Sequence, residues 1–234
     1  KATLENGPWV VNGKLVWTSA SGITTADPKS FGGCLRKWWY EKVDGKEAPT
    51  TKAQQGGTDM HKVIEAHLLT GSALTQLAVA GRRFIPHPGS GLLVESPVDF
   101  MSEPGVRILG HTDLYNFRGE YLDPEGELKS DPPWTVEVKD WKTTSSFDYA
   151  KTTQEIAENV QLTTYAEAAF RKWPDLEHAR LTHVYFLTKG RPQAKLVTVL
   201  SDREEIGARW KYAEGVIRIM ADVAKEVSAD KVPG

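Results

Sequence analysis

The sequence predicts an α/β protein in which helices flank a central mixed β-sheet. Helical and strand-like segments follow one another in the order helices, a meander of strands, a helix, two more strands and a helix. That order is typical of a sheet with helices packed against it. The 234 residues, of which 40% are hydrophobic and 26% charged, suffice for one folded core. We therefore expect a single domain over residues 1–234.

A hairpin and a helix are predicted near the N-terminus. Apolar segments flank Asn12-Gly13, and this dipeptide is a strong signal for a tight hairpin turn. A helix is expected over about 28–43. Asp27 is its candidate N-cap, and Pro28 suits the first helical position because that N–H has no partner in a helix.

A second helix is predicted over about 58–70. Apolar side chains recur there at helical spacing, at Met60, Val63, Ile64 and Leu68. Gly71 follows as a stop signal. The preceding segment, from Ala48 to Gly57, is polar and contains glycine, so it is predicted to be a loop.

Three strands are predicted next, over about 92–100, 106–117 and 134–142. Clusters of proline and glycine at 123–126 and 131–133 indicate a long turn between the last two strands. Consecutive strands joined in this way form a meander.

The last third of the chain is predicted to contain a helix, two strands and a final helix. The first helix covers about 153–172, and the strands cover about 181–188 and 194–200. Ser201 and Glu204 form a capping-box pattern, which indicates that a long helix begins there.

Segment 136–143 is the most informative stretch of the chain. Because successive side chains of a strand point to opposite faces, one face carries Val136, Val138, Asp140 and Lys142. The two valines anchor that face in a core, and the acid and the lysine stand at its rim. A buried charge is costly unless it is paired or holds a metal, so this pair indicates a functional site.

A competing register exists because Glu137 and Lys139 have the same acid-x-lysine spacing. The face that carries them would also carry Trp141, and we predict that it is exposed to solvent. The valine pair on the other face favours the register of Asp140.

A second carboxylate is predicted beside the first. Asp113 closes the run Gly110-His111-Thr112-Asp113, and Leu114 and Tyr115 continue the strand beyond it. Two carboxylates and a lysine on adjacent strands suit a hard divalent cation and a metal-activated water. His111 lies on the same face as Asp113, but a histidine there is more often a partner or a surface residue than a ligand.

Five motifs in this order resemble the PD-(D/E)XK nuclease superfamily and, within it, the branch typified by the RecB nuclease domain. The resemblance runs from about Ser19 to Tyr165. Residues that resemble the opening helix of the family are Ser19, Phe31, Cys34, Leu35, Arg36, Trp38, Trp39 and Tyr40. The other four motifs are Gly57-x-x-x-His61, Gly110-x-x-Asp113, Asp140-x-Lys142-Thr143 and Gln161-x-x-x-Tyr165.

The resemblance implies a restriction-endonuclease-like core and a nuclease that uses Mg²⁺ or Mn²⁺. The metal would be held by His61, Asp113, Asp140 and the backbone carbonyl of Trp141. Lys142 would position or activate the attacking water and offset the charge that builds on the phosphate.

Two further sets of residues have roles that depend on this resemblance. Gln161 and Tyr165 would line the wall of the active site, where they would contact the DNA backbone or orient catalytic groups. Glu65 lies one helical turn beyond His61 and could ligate a metal or pair with that histidine. The sequence leaves both roles of Glu65 open.

The single cysteine, Cys34, is a departure from those members of the branch that bind an iron–sulfur cluster through four cysteines. Leu35 also replaces the proline that usually follows. We therefore expect a cluster-free member, closer to viral recombination exonucleases. One cysteine excludes an internal disulfide and fits a reducing compartment, so we expect a cytoplasmic protein of a prokaryotic cell or a virus-infected host.

The function expected from this resemblance is a DNA exonuclease that leaves 5′-phosphates in recombination or DNA-end processing. DNA would be the substrate, and a helicase or a single-strand annealing protein would be the candidate partner. The net charge of −2 does not itself indicate nucleic-acid binding. The alternatives are a structure-dependent endonuclease, a catalytically silent nucleic-acid-binding module on the same fold, and an interaction protein with chance matches.

Overall fold

The computed structural model describes residues 8–30, 32–46, 49–226 and 228–233. Two residues used in the sequence analysis, Phe31 and Ala48, lie outside this part of the chain. Within it, the strands are β1 (Val10–Val11), β2 (Lys14–Leu15), β3 (Trp17–Thr18), β4 (Leu92–Met101), β5 (Arg107–Asn116), β6 (Glu120–Leu122), β7 (Leu128–Ser130), β8 (Thr135–Thr144), β9 (His178–Leu187) and β10 (Ala194–Asp202). The α-helices are α1 (Ala20–Ala26), α2 (Leu35–Lys42), α3 (Lys52–Thr70), α4 (Gln76–Val79), α5 (Thr153–Ala157), α6 (Val160–Lys172) and α7 (Arg203–Val223).

Six strands form a central mixed sheet. Strands β10, β9, β8 and β5 follow one another across it, and β4 pairs with β5 along nearly its whole length. The pairing of β8 with β9 and of β3 with β5 is parallel, whereas the other pairs are antiparallel. The mixed sheet predicted from the sequence is therefore confirmed.

The second edge of β5 is shared by two strands. At one end of β5, Arg107 and Ile108 pair with β3. At the other end, Leu114 to Asn116 pair with β8. Among the residues that the structure describes, no strand pairs with positions 109–113 on that edge, so the ladder is interrupted there.

Helices cover both faces of the sheet. Helices α1, α2, α6 and α7 contribute to a core that includes Val136 and Val138 of β8. Helices α3 and α4 build a second core against Trp141 and Phe186 on the opposite face. None of the helices in the described ranges is long and apolar enough to cross a bilayer.

Two small hairpins lie outside the central sheet. Strands β1 and β2 are joined by Asn12 and Gly13, which have φ values of 51° and 71°, so the predicted hairpin is confirmed. Strands β6 and β7 pair within the segment that the sequence indicated as a long turn. Prolines and glycines there mark the tip and the end of this hairpin rather than one continuous loop.

The helix predicted over 28–43 is confirmed over Leu35–Lys42, but its predicted start at Asp27 and Pro28 is wrong. Helix α1 begins after Ser19, whose side chain accepts a hydrogen bond from the Gly22 N–H, and it ends at Asp27. Helix α2 begins only after Cys34. Between the two helices the chain turns back so tightly that a Cβ on Gly33 would lie 1.9 Å from the Asp27 carbonyl oxygen. Asp27 and Pro28 therefore follow a helix instead of starting one.

The loop predicted between Ala48 and Gly57 is also wrong, because α3 already begins at Lys52. Thr51 and Gln54 form a capping box in which each side chain bonds to the backbone of the other residue. The capping box outweighs the low helix propensity of the glycines that follow. The predicted end of this helix is confirmed, since Gly71 adopts the left-handed conformation with φ 72°.

Two helix boundaries in the last third of the chain differ from the prediction. The helix predicted over 153–172 is split into α5 and α6, because the Asn159 side chain caps a new helix by accepting from the Leu162 N–H. The final helix is capped by Asp202, which accepts from the Glu205 N–H, so its start is one residue later than predicted. Ser201 belongs to β10 and accepts a hydrogen bond from Arg209.

The face of β8 that carries Glu137 and Lys139 is buried, which contradicts the prediction of a solvent-exposed face. Both side chains are 2% exposed and their charged atoms lie 3.1 Å apart. Lys139 also donates to the Phe84 carbonyl, while Glu137 accepts from Asn116 and Thr182. Lys139 is covered by the segment that contains Phe84, and a buried ion pair is tolerated there because each charge has a further hydrogen-bond partner.

We predict that Gly33→Ala destabilises the fold by about 1–3 kcal/mol, because the new methyl group forces the backbone of Asp27 to move. The matched control is Gly56→Ala in α3, where an added Cβ meets nothing within 4 Å. That change should raise stability by about 0.5–1 kcal/mol. Urea unfolding measures both, and equal effects of the two substitutions would contradict the packing described for Gly33.

We predict that Lys139→Met costs about 3–5 kcal/mol of unfolding free energy, because it leaves the Glu137 carboxylate buried without its cation. Adding Glu137→Gln should recover part of the loss, since an amide carries no charge. Lys211→Met, at an exposed position of α7, is the control and should be nearly neutral. A loss for Lys139→Met as small as that for the control would show that the pair does not contribute in this way.

Candidate active site

The site is built around the point where β5 and β8 separate. Their ladder ends at the pair Leu114 and Lys139. One residue beyond it, the Asp113 carboxylate takes the place of a backbone acceptor, since its Oδ2 accepts a hydrogen bond of 2.9 Å from the Trp141 N–H. The acid predicted on β5 is therefore held against the strand that carries Asp140.

His61 joins α3 to this junction. Its Nε2 lies 2.5 Å from the Trp141 carbonyl oxygen, and its Nδ1 lies 3.2 Å from Asp113 Oδ1. Both partners are acceptors, which favours a ring with protons on both nitrogens. Burial alone would lower the pKa of His61, but the hydrogen bond and charge of Asp113, aided by Asp140, outweigh it and raise the pKa above its ordinary value.

Gly57 explains how α3 comes close enough for this contact. A Cβ at Gly57 would lie 3.3 Å from Thr143 Oγ1, at the lower limit of normal packing. The glycine of the Gly-x-x-x-His motif thus faces the threonine of the Asp-x-Lys-Thr motif. The two motifs meet in space, and the small residue allows the helix to approach β8.

Asp140 and Lys142 lie on the same face of β8, as predicted. Lys142 Nζ is 2.7 Å from Asp140 Oδ2, and its side chain is 33% exposed, whereas that of Asp140 is 2% exposed. The ion pair is close but poorly directed, because Asp140 Oδ2 has no hydrogen bond of good geometry with any described residue. A buried carboxylate oxygen in this state is available to a further cation.

Two residues of α6 form a hydrogen-bonded chain with Lys142, in which Gln161 contacts the lysine and Tyr165 contacts Gln161. Gln161 Oε1 accepts a hydrogen bond of 3.1 Å from Lys142 Nζ, and Gln161 Nε2 donates to the Tyr165 hydroxyl at 3.3 Å. Burial, followed by the charge of Asp140, raises the pKa of Tyr165. The Tyr115 hydroxyl donates to the Tyr165 carbonyl at 2.7 Å and ties α6 to β5.

Sequence reasoning missed His183 of β9. It pairs with Asp140 in the parallel register of β8 and β9, and its Nε2 lies 3.5 Å from Asp140 Oδ2. Its Nδ1 lies 2.9 Å from the Tyr185 hydroxyl. Burial lowers the pKa of His183 to about 3, so the ring is neutral. No motif marks this histidine, and only the strand pairing brings it to the site.

Glu95 of β4 was also missed. The ladder between β4 and β5 pairs Val94 with Leu114 and Ser96 with Thr112, so Glu95 stands opposite Asp113. Its φ of 49° is left-handed, which is uncommon for a residue other than glycine, and strained backbone of this kind clusters at functional sites. A glutamate within an apolar strand run is the sequence signal that could have identified it.

Two residues named from the sequence, His111 and Glu65, do not bond to the ring nitrogens of His61. His111 is exposed. Glu65 is half-buried on α3, and it is not the partner of either ring nitrogen of His61, since these face Asp113 and Trp141. Trp38, Trp39 and Trp141 are buried core residues.

The donor set fits a hard divalent cation. Two carboxylates, one imidazole and the Trp141 carbonyl supply the oxygen and nitrogen ligands that Mg²⁺ and Mn²⁺ accept. Asp140 Oδ2, buried and without a well-directed partner, is the atom that such a cation would satisfy. Within the described ranges, no three histidine, cysteine or acidic side chains are grouped closely enough to hold a metal ion as they stand. Ligation by Asp113, Asp140 and His61 therefore requires local rotation of side chains and loss of a proton from the His61 ring.

Comparison with known proteins supports the fold. No protein-family model matches the chain, and no curated protein sequence does. The crystal structure of a candidate exonuclease from Eubacterium rectale superposes on 96% of this chain and 86% of its own, with a TM-score of 0.56 and 12% identity. The restriction-endonuclease-like core predicted from the sequence is thereby confirmed.

Two other solved structures superpose less closely. SSO0001 matches 86% of this chain and 75% of its own, with a TM-score of 0.43 and 14% identity. LHK-Exo, solved in complex with dAMP, matches 91% of this chain and 90% of its own, with a TM-score of 0.45 and 12% identity.

We predict that Tyr115→Phe lowers the free energy of unfolding by about 0.5–1.5 kcal/mol, because it removes the buried hydrogen bond to the Tyr165 carbonyl. Tyr149→Phe is the control, since that side chain is 70% exposed. Chemical denaturation of both variants is the measurement. A Tyr115 variant as stable as the control would mean that this bond does not fix α6.

Proposed function

We propose that this protein is a metal-dependent DNA nuclease of the PD-(D/E)XK superfamily, in the RecB-like branch. The observation that carries the proposal is the convergence of Asp113, Asp140, Lys142 and His61 at the one point where β5 and β8 separate. These residues come from separate motifs, and they meet in the fold of a protein that is itself a candidate exonuclease.

The proposed reaction is hydrolysis of a phosphodiester bond. The ligands would be His61, Asp113, Asp140 and the Trp141 carbonyl, and Mg²⁺ or Mn²⁺ held there would lower the pKa of a bound water and offset phosphate charge. Lys142, half-exposed and braced by Gln161, is placed to orient the attacking water and to stabilise charge on the phosphate. Cleavage would release the sugar 3′-oxygen and leave a 5′-phosphate.

Exonucleolytic action on DNA ends is our preferred form of this activity, in recombination or end processing with a helicase or annealing protein. A structure-dependent endonuclease would use the same residues.

The test is a cleavage assay with Mg²⁺ or Mn²⁺ on linear and on covalently closed circular DNA. We expect loss of linear DNA only, and no loss with Asp140→Ala. Cutting of circles would identify an endonuclease. Absence of cleavage together with retained metal binding and DNA binding would identify a silent binding module, and absence of all three would contradict the nuclease assignment.

We predict that Lys142→Met lowers kcat by about 10²–10³-fold, the usual effect of removing one group that stabilises transition-state charge. Its binding of Mn²⁺ should be retained, since the lysine is not a ligand. Lys211→Met, exposed on α7, is the matched control and should cleave normally. Full cleavage activity in Lys142→Met would show that this lysine has no role in the proposed mechanism.

A further inference from the structure

Behind Asp140 lies a chain of hydrogen-bonding groups that none of the motifs contains. It consists of the Lys151 backbone N–H, the Tyr185 hydroxyl and the His183 ring. The two side chains lie on β9, directly beside β8, and His183 is 1% exposed. A buried polar side chain that faces a catalytic carboxylate calls for a physical explanation.

The direction of this chain follows from its donors and acceptors. The Lys151 N–H donates to the Tyr185 oxygen at 3.1 Å, so the proton of the hydroxyl is available for His183 Nδ1 at 2.9 Å. Burial raises the pKa of Tyr185 to about 12, so the hydroxyl keeps that proton. If Nδ1 accepts, a neutral ring carries its own proton on Nε2.

That Nε2–H faces the metal-ligand carboxylate. It lies 3.5 Å from Asp140 Oδ2 and has no hydrogen-bond partner of good geometry among the described residues. Hydrogen bonds at catalytic centres are often long in the absence of ligands and shorten when the site is loaded. A small rotation of the Asp140 side chain would close this contact.

We propose that His183 is a positioning residue, which donates from Nε2 to Asp140 and so orients this carboxylate for metal binding, and that Tyr185 fixes the required tautomer. This inference rests on the proposed nuclease function. Groups that hydrogen-bond a ligating carboxylate set its orientation, and their loss typically costs about 10–100-fold in metal affinity.

The test measures Mn²⁺ affinity of the DNA-free protein by calorimetry. His183→Leu should weaken binding by about 10–100-fold, whereas His183→Gln, whose amide nitrogen can occupy the place of Nε2, should stay within a few-fold of wild type. Tyr185→Phe should weaken Mn²⁺ binding, because it removes the hydroxyl that fixes the tautomer of His183 while leaving His183 in place. This variant keeps the test decisive if His183→Leu does not fold.

The control for a merely structural effect is Val184→Ala, the neighbouring buried position on the opposite face of β9. It should lower the melting temperature and leave Mn²⁺ affinity unchanged. If the folded His183→Leu or Tyr185→Phe variant binds Mn²⁺ as tightly as the wild type, the role proposed for His183 is wrong, but the proposed nuclease function is not affected. A wild-type protein that neither binds Mn²⁺ nor cleaves DNA would overturn it together with the proposed function.

Discussion

The structure depends on one constraint at the centre of the sheet, which is that two strands share one edge of β5 and leave residues 109–113 without a strand partner on it. A backbone N–H near such a gap must find another acceptor, because an unpaired buried amide is costly. Two side chains satisfy the backbone of Trp141: the Asp113 carboxylate accepts from its N–H, and the His61 ring contacts its carbonyl oxygen. The same contacts draw α3, β5 and β8 together, so the groups that complete the backbone hydrogen bonding are the ones that assemble the candidate site.

Strand β8 carries two acid–lysine pairs with opposite consequences. Both side chains of the Glu137–Lys139 pair are 2% exposed, and both make further hydrogen bonds within the protein, so this is a structural ion pair. In the pair of Asp140 and Lys142, the side chain of the acid is buried, whereas that of the lysine is 33% exposed. Chemistry requires a group that solvent and substrate can reach, and only the second pair offers one. Spacing alone does not separate the two pairs; the exposed fraction of each lysine side chain does.

Local patterns predicted the parts of the fold that local physics determines. Strand alternation placed Val138 and Asp140 on one face, and Gly71 ended α3, because period and chirality act within a few residues. Tertiary contacts decided the rest. Asp27 looked like a helix start but is the residue against which Gly33 packs. Glu137 looked exposed, because a sequence does not show that Asn116 and Thr182 of the neighbouring strands bond to its carboxylate. His183 and Glu95 reach the site only through strand pairing, and no short motif contains them.

The most direct test of this account is a crystal structure of the protein with Mn²⁺, in which anomalous scattering locates the ion. We predict one peak or a close pair of peaks within bonding distance of Asp113, Asp140, His61 and the Trp141 carbonyl, with Lys142 Nζ outside the coordination sphere. No peak in this gap under saturating Mn²⁺, or peaks only at surface carboxylates, would contradict the claim that the junction of β5 and β8 is a metal site.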